Sequence, residues 1–408
     1  MSHTFRLSSS LRAERLETTL SRARSVAQKV GISRVTEITR LDRVGVPVFA
    51  SIRPDAQSGS LCVNAGKGLT VAEARVGAYM EAIEFAFAEY NRSGIRVRTA
   101  RAREIYDGSD RPEAILDFCP TMETEIELDA PVACVEASDI CSKSKFLVPA
   151  ELVFLPYPLA LDGNTYFGST SNGLSSGNSI LEASIHGLTE VIERDIRSFQ
   201  SVDDQSLLVQ GNSLPPPIAN IVTNLSSVGL ALYVRTVKNM FGMPFFMAVV
   251  AEPESNNPIY INGGYGCHPC SLIALTRAVC EAVQSRLSFI HGGRDELIER
   301  YQRFDGWSDQ ERTAYAGRLL AKVSRSEPAI SFAEVEDYTD VAEDLESTLE
   351  LLLASLAKNG FHHVLRIVYT PKSGALQVVR ILVPGLEYFT ETTTRIGPRL
   401  RDYVRDHP

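Results

Sequence analysis

The sequence predicts an α+β fold in which mixed and antiparallel sheets pack with helices. Its 408 residues are 44% hydrophobic and 22% charged, a composition typical of folded globular proteins. Strand-like segments with alternating or β-branched residues are mixed with amphipathic segments of helical period, which indicates at least one antiparallel sheet. The segment Gly66-Lys67-Gly68 is neither a dinucleotide-binding fingerprint nor a Walker A loop, so nothing in the sequence indicates a Rossmann fold.

The predicted elements follow one another from the N-terminus. A charged helical pattern covers residues 11–30, and a strand-rich segment follows at 38–54. A helix at 70–90 opens with the capping box Thr70-x-x-Glu73, and the segment 106–180 is irregular and strand-rich. The further predicted helices cover 180–200, opened by Asn178 and Ser179, then 271–290 and 341–358. The further predicted strands cover 231–236, 245–251, 258–262, 363–369 and 376–383, with a polar connection at 305–330.

These patterns also predict the domain organisation. Residues 1–40 are expected to form an N-terminal helical extension, residues 41–395 a single catalytic domain, and residues 396–408 a short C-terminal tail. The chain contains no internal repeat and no low-complexity tract, so neither a solenoid nor a disordered region is expected.

Charge and apolar patterning exclude several classes of function. The 41 basic and 50 acidic residues give a net charge of -9, the wrong sign for a protein that neutralises a nucleic-acid backbone. The longest apolar run, at about 240–251, is shorter than the ~20 residues of a membrane span. The N-terminus also lacks the pattern of a signal peptide. We therefore expect a cytoplasmic protein that binds neither nucleic acid nor membrane.

Seven cysteines are scattered along the chain, and this odd number favours reduced thiols over a disulfide framework. The pair Cys267-x-x-Cys270 has metal-ligand spacing, with His268 as its close neighbour. A zinc site requires further ligands at suitable spacing. We therefore expect a turn at the end of a strand here, with zinc as the alternative.

One face of the predicted helix at 180–200 carries ionisable side chains. Four of them fall within about 80° of one another at about 100° per residue: Glu182, His186, Glu190 and Glu193. An ordinary amphipathic surface helix explains this pattern. The preceding loop at 168–178 is rich in small residues, however, and favours anion binding at the helix N-terminus. Carboxylates beside a bound phosphate require a divalent cation between them.

Two other predicted helices carry polar side chains amid apolar ones. Glu81 and Glu84 lie three residues apart among apolar neighbours, where half-buried carboxylates need partners. The helix at 271–290 has a polar stripe, which an intrahelical pair of Arg277 and Glu281 explains equally well. Together, three converging stripes would suit magnesium with a polyphosphate. A G-x-S-x-G nucleophile elbow is absent, and the single Trp307 provides no aromatic platform for a glycosidase.

Four sequence blocks closely resemble the YcaO family. They are GKGLTVAEARVGAYMEAIE (66–84), SNGLSSGNSILEASIHGLTEVIERD (171–195), RAVCEAVQSR (277–286) and LVPGLE (382–387). The resemblance implies the YcaO fold, in which clustered glutamates hold ATP through Mg²⁺ in a buried site. The magnesium ligands implied by motif position are Glu81, Glu84, Glu182 and Glu193. The implied nucleotide contacts are Ser175, Asn178, Glu190, Arg194, Gln284 and Arg286. The resemblance implies no side chain as a covalent catalyst.

The resemblance also implies a reaction. YcaO enzymes activate a backbone amide of a precursor peptide or protein: a nucleophile adds to the carbonyl, the oxyanion attacks the γ-phosphate of ATP, and phosphate leaves. Sulfide gives a thioamide, a Cys, Ser or Thr side chain gives an azoline, and an amine gives an amidine. The chain ends in RLRDYVRDHP, without the PxPxP tail usual in azoline-forming members. It is therefore more similar to stand-alone members that make thioamides with a TfuA-type partner.

Three alternatives to a thioamide-forming enzyme stay open. The chain could be an azoline-forming cyclodehydratase, an accessory factor of ribosomal-protein modification, or a non-catalytic nucleotide-binding scaffold. The glutamates of the family motifs are retained, which disfavours the scaffold. A homodimer is the expected assembly.

Overall fold

The computed structural model describes residues 4–106, 111–161, 163–255, 257–294, 297–390 and 392–407. Its helices are α1 (Leu16–Ala27), α2 (Val71–Ala88), α3 (Tyr90–Ser93), α4 (Ile180–Val202), α5 (Pro216–Ser227), α6 (Ser271–His291), α7 (Leu297–Gln302), α8 (Asp309–Ser324), α9 (Leu345–Lys358) and α10 (Pro398–Asp406). Its strands are β1 (Phe5–Arg6), β2 (Leu11–Arg12), β3 (Arg34–Glu37), β4 (Val48–Ile52), β5 (Val63–Lys67), β6 (Arg98–Arg101), β7 (Pro131–Asp139), β8 (Lys145–Pro149), β9 (Leu174–Gly177), β10 (Leu207–Val209), β11 (Ala231–Thr236), β12 (Phe245–Ala251), β13 (Asn262–Cys267), β14 (Ala329–Ile330), β15 (Leu365–Val368) and β16 (Gln377–Leu382).

The long helices form where the sequence predicts them. The predicted helices at 70–90, 180–200, 271–290 and 341–358 correspond to α2, α4, α6 and α9. α4 begins after Ser179, whose hydroxyl accepts a hydrogen bond from the Glu182 backbone N–H at 3.1 Å. The strands predicted at 231–236 and 245–251 are β11 and β12. Within the described ranges, no helix combines the length and apolar character that crossing a membrane requires.

Two sequence predictions are wrong. The strand predicted at 258–262 begins only at Asn262, because Pro258–Tyr260 form a 3₁₀ turn capped by the Asn257 side chain. The segment 305–330, predicted as a polar connection, contains α8. Ser308 and Glu311 open this helix with the reciprocal hydrogen bonds of a capping box. The apolar stripe of α8 that packs in the core covers only residues 316–323, so its helical period is short in the sequence.

The cysteine pair lies at the turn that the sequence predicts. Cys267 ends β13, and Cys270 directly precedes α6. Both thiols are buried, and all seven cysteines of the chain are free thiols.

The chain divides into two compact units, with the boundary inside α2. The first unit comprises residues 1–55, 61–82 and 205–344. In its described part, β1 pairs with β2, β3-β4-β5 form an antiparallel sheet, and a five-stranded sheet has the order β13-β12-β11-β10-β14. Apolar residues of α5 and α6 join those of β4, β11 and β12 in one core cluster.

The second unit comprises residues 56–60, 83–204 and 345–408. Its described strands form an antiparallel sheet in the order β6-β7-β15-β16-β9, with β8 paired to β7. Ser175 of β9 lies opposite Val379 of β16, and Gly177 lies opposite Gln377. α4 packs on β9 and β16, while α9 and α10 pack on α4. The sheet therefore fixes the place at which the chain leaves β9 and enters α4.

Candidate functional site

Two buried charged side chains of the second unit hold the loop before β9. The Glu151 carboxylate accepts hydrogen bonds from the backbone N–H groups of residues 166–168, at 2.7, 3.0 and 2.7 Å. The Arg380 guanidinium donates to the carbonyl oxygens of Thr170 and Asn172 at 2.7 and 2.8 Å. Glu151 and Arg380 are both buried, so these charge-assisted bonds are strong. The small-residue loop that leads into β9 is therefore held at defined points.

The joint between β9 and α4 is closely packed. The fully buried Ser175 hydroxyl donates to the Ala183 carbonyl oxygen at 2.8 Å. A Cβ on Gly187 would lie 2.7 Å from the Ser175 Oγ and 2.8 Å from the Gly173 carbonyl oxygen. Glycine at position 187 therefore allows the strand to approach the helix this closely. Ser175, which the family resemblance makes a nucleotide contact, links β9 to α4.

The acidic stripe of α4 is largely buried. Glu182 and Glu193 are each 2% exposed, and the Glu190 side chain is partly buried. The Asn178 amide nitrogen lies 3.3 and 3.4 Å from the two Glu182 carboxylate oxygens. The Arg194 guanidinium lies 3.6 Å from Glu193 and 3.8 Å from Glu190. The interpretation as an ordinary solvent-facing stripe is therefore wrong, because charged side chains on such a stripe are exposed.

Glu84 of α2 contacts β9 through a residue that the sequence did not single out. The Ser176 hydroxyl donates to Glu84 Oε1 at 2.5 Å, and Ser176 is buried. Side chains alternate along a strand, so Ser175 faces α4 while Ser176 faces Glu84. If the sequence had predicted β9 as a strand, this alternation would have identified Ser176 as well as Ser175. Its glycine- and serine-rich sequence, however, is of low strand propensity.

Glu81 and Gln284 belong to the first unit. Glu81 lies 3.9 Å from the Arg294 guanidinium, measured from Oε1 to Nη1. Gln284 is 8% exposed, and its amide nitrogen donates to the Ala65 carbonyl oxygen at 3.3 Å. Both side chains therefore contact residues outside the predicted site set.

Arg286, also in the first unit, lies in a buried ion-pair network. Its guanidinium contacts Asp42 at 2.6 Å and Glu252 at 3.3 Å. The same guanidinium lies 5.3 Å from the ring centroid of Tyr260. These three partners are outside the predicted set, and they hold the Arg286 guanidinium in place.

Within the second unit, the structure brings predicted residues together in two groups. Asn178 contacts Glu182, and Arg194 contacts both Glu190 and Glu193. The assignment of these residues to nucleotide and magnesium stays a prediction.

The donor chemistry of these residues fits Mg²⁺ with a nucleotide. Among the residues that the structure describes, no three His, Cys, Asp or Glu side chains are gathered as a metal site of their own. Mg²⁺ typically takes one or two carboxylates and fills its remaining positions with water and substrate phosphates. Buried glutamates such as Glu182 and Glu193 are oxygen donors of this kind, and a cation lessens the penalty of burying them. These residues therefore supply the type of donor that a magnesium-bound nucleotide requires.

Comparison with known proteins identifies the family. A family profile described as YcaO cyclodehydratase, ATP- and Mg²⁺-binding, matches residues 65–387. The chain therefore belongs to the YcaO family, and its cofactors are ATP and Mg²⁺.

Relatives of similar length support this conclusion. The chain is 33% identical over 378 residues to an uncharacterised protein of Methanothermobacter thermautotrophicus, covering 92% of this chain and 94% of that one. It is 28% identical over 369 residues to an uncharacterised protein in the tfuA 3' region of Rhizobium leguminosarum bv. trifolii, covering 88% and 84%. The solved structure of YcaO from Methanopyrus kandleri, bound with AMPPCP and Mg²⁺, matches with a TM-score of 0.75 and 24% identity, covering 98% of both chains. That structure shows the same fold.

Proposed function

We propose that this protein catalyses ATP-dependent thioamide formation in a peptide backbone, acting with a TfuA-type partner in the biosynthesis of ribosomally made peptides. The observation that carries the choice of product is the relative in a tfuA 3' region, which is similar over 88% of this chain. The YcaO family, as a family of ATP- and Mg²⁺-binding cyclodehydratases, supports ATP-dependent activation of an amide.

The proposed reaction balances with hydrosulfide as the sulfur donor. Hydrosulfide adds to the amide carbon, which forms a C–S bond and an oxyanion. ATP supplies the phosphoryl group that converts this oxygen into a leaving group, with release of ADP. Loss of phosphate and of the thiol proton then leaves a C=S double bond in place of C=O. The net change is exchange of one oxygen atom for one sulfur atom.

In this reaction the protein positions groups and balances charge. The carboxylates of Glu84, Glu182 and Glu193 would hold Mg²⁺ ions, and Ser176 orients Glu84 through its 2.5 Å hydrogen bond. Glu182 and Glu193 lie about 16 Å apart along α4, so they would serve different ions. The N-terminus of α4, which begins after Ser179, favours negative charge through its N–H groups and dipole. Glu81, Gln284 and Arg286 of the first unit stay predictions of the family resemblance.

Calorimetric titration with ATP, with and without Mg²⁺, tests the nucleotide site. The variant Glu193→Gln removes one buried charge with little change of shape, and Glu350→Gln on the exposed face of α9 is its matched control. Because ligands and their supports contribute about 10–100-fold to metal affinity, we expect Mg²⁺-dependent ATP binding to weaken by at least about tenfold in Glu193→Gln. Equal binding by wild type and folded Glu193→Gln would contradict the assignment of this residue.

Mass spectrometry tests the product. The chain is co-expressed with the TfuA-type protein and the short peptides encoded beside its gene, and the peptides are compared with those from cells carrying Glu193→Gln. Thioamide formation adds about 16 Da through ATP-driven exchange of oxygen for sulfur, whereas azoline formation removes about 18 Da as water. A gain that depends on both the partner and Glu193 supports the proposal. A loss of water would assign the chain to the azoline-forming class and refute thioamide formation.

A further inference from the structure

α4 has a second acidic position on the side away from its acidic stripe. Asp195 lies about 160° around the helix from Glu193, at about 100° per residue. It is 1% exposed. Its Oδ1 accepts a hydrogen bond from Arg399 Nη1 at 2.6 Å and another from the Glu387 backbone N–H at 2.7 Å. A buried carboxylate held by a charged donor and a backbone donor is a strong attachment point.

Glu387 fastens α10 to the same place. Its carboxylate is 1% exposed and accepts hydrogen bonds from the backbone N–H groups of Gly397 at 2.6 Å and Leu400 at 2.8 Å. These groups open α10, where a helix has N–H groups without intrahelical partners. Asp195, Glu387 and Arg399 therefore connect α4, the segment before α10 and α10 itself in a closed ring of contacts. We name these three residues the α10 clamp.

Further contacts join the clamp to the backbone of the predicted nucleotide site. The buried Ser198 hydroxyl donates to the Arg194 carbonyl oxygen at 2.7 Å and accepts from the Phe389 backbone N–H at 2.8 Å. The Arg399 guanidinium also lies 5.0 Å from the ring centroid of Phe199, one turn after Asp195. The segment around Glu387 thus contacts α4 at Asp195 and Ser198, and Ser198 is hydrogen-bonded to the backbone of Arg194, the residue that follows Glu193.

We propose that the α10 clamp fixes the rotation of α4 that presents Glu193 and Arg194 to Mg²⁺ and ATP. Asp195 and Arg399 are then positioning residues of the enzyme. This inference rests on the proposed function, because the acidic stripe of α4 is the proposed nucleotide site. A helix turns as one body, so any rotation at Asp195 moves Glu193 as well. Such a rotation would also leave a buried carboxylate unpaired, which is strongly unfavourable.

Calorimetric titration of wild type and three variants with ATP and Mg²⁺ tests the clamp. Arg399→Met removes the charge and the hydrogen bonds but keeps an apolar stem, and Arg399→Lys restores the charge without the planar fork. Arg405→Met is the matched control on the same helix, since the Arg405 side chain is 70% exposed. We expect a dissociation constant raised about tenfold or more in Arg399→Met, an intermediate value in Arg399→Lys and the wild-type value in Arg405→Met.

The binding stoichiometry separates positioning from a merely structural role. Loss of folded protein lowers the number of sites per chain and leaves their dissociation constant unchanged. Misplacement of Glu193 and Arg194 raises the dissociation constant and leaves the number of sites unchanged. Circular dichroism establishes that each variant is folded.

Asp195→Asn changes the other side of the same ion pair, and it is the variant to measure if Arg399→Met does not fold. Burial raises the pKa of Asp195, an effect that Arg399 opposes, so a neutral isostere suits this environment. It should raise the dissociation constant in the same way. If the folded clamp variants bind ATP with wild-type affinity, the positioning role of the α10 clamp is refuted and the proposed function stands. A wild-type chain without Mg²⁺-dependent ATP binding would overturn the proposed function and the clamp together.

Discussion

His268 is expected to make the stability of the first unit depend on pH. The residue lies between β13 and α6 and is 3% exposed. Its Nδ1 accepts a hydrogen bond from the Cys270 backbone N–H at 3.0 Å, so protonation of Nδ1 would break this bond. Burial, reinforced by the positive charges of Arg277 and Arg6, lowers the pKa of His268 from 6.5 to about 3.

The size of the effect follows from this difference in pKa. His268 binds a proton near pH 6.5 in the unfolded chain but only near pH 3 in the folded chain. The free energy of unfolding is therefore highest above pH 6.5, where neither state binds this proton, and it decreases as the pH falls. Each pH unit between these values lowers the free energy of unfolding by about 1.4 kcal/mol. Between about pH 7.5 and about pH 5, the expected loss is about 2 kcal/mol.

Urea unfolding of wild type and His268→Asn at both pH values measures this loss. Asparagine cannot titrate here but keeps an acceptor for the Cys270 N–H, and His362→Asn at an exposed histidine serves as the control. We expect the pH dependence of His268→Asn to be smaller than that of wild type by about 2 kcal/mol, with the control unchanged. Equal pH dependence in wild type and His268→Asn would refute the reasoning, as would an NMR titration that shows the His268 ring protonating near pH 6.5.

Three further predictions concern the fold of the first unit. Gly66→Ala should destabilise it by about 3 kcal/mol or more, because the new Cβ would lie 1.9 Å from a backbone nitrogen of α2. Gly211→Ala, with no atom within 4 Å of its Cβ, should leave the melting temperature unchanged. Glu73→Ala should release the N-terminal segment, since Glu73 accepts the Ser8 N–H and hydroxyl at 2.9 and 2.7 Å. Trypsin should then cleave at the arginines of β1 and β2 faster, while circular dichroism stays constant. Arg235→Met should lower the unfolding free energy by about 3 kcal/mol in urea titrations, because the buried guanidinium donates to the Ser206 and Arg325 carbonyl oxygens and these bonds are lost.

The sequence was sufficient to predict elements whose hydrophobic period is strong. α4 and α6 each have a broad apolar face, and β11 and β12 are apolar strands with clear bounds. α8 was missed because its apolar stripe is short: Ala316, Leu319, Leu320 and Val323 pack in a core cluster, within an otherwise polar segment. β9 was missed because its residues are small, and its pairing with β16 defines it as a strand.

In the candidate site, contacts between residues close in the sequence could be predicted, and contacts between distant residues could not. Contacts within one helix, such as Glu190 with Arg194, follow from i,i+4 spacing. The hydrogen bond from Ser176 to Glu84 joins residues 92 positions apart, and no local pattern indicates it. Burial is equally non-local. The sequence places Glu182 and Glu193 on one face, but packing of the second unit makes that face buried.

The two polar sides of α4 differ in the charges that they carry. Asp195 is a single buried carboxylate that meets Arg399 at 2.6 Å, which is a hydrogen-bonded ion pair. On the other side, Glu182 and Glu193 are buried and Glu190 is partly buried, with Arg194 at 3.6 and 3.8 Å from Glu193 and Glu190. The pair of Asp195 with Arg399 balances its own charge, whereas three carboxylates beside one guanidinium leave an excess of negative charge. A divalent cation would offset that excess, so the second side is the one on which magnesium binding is to be tested.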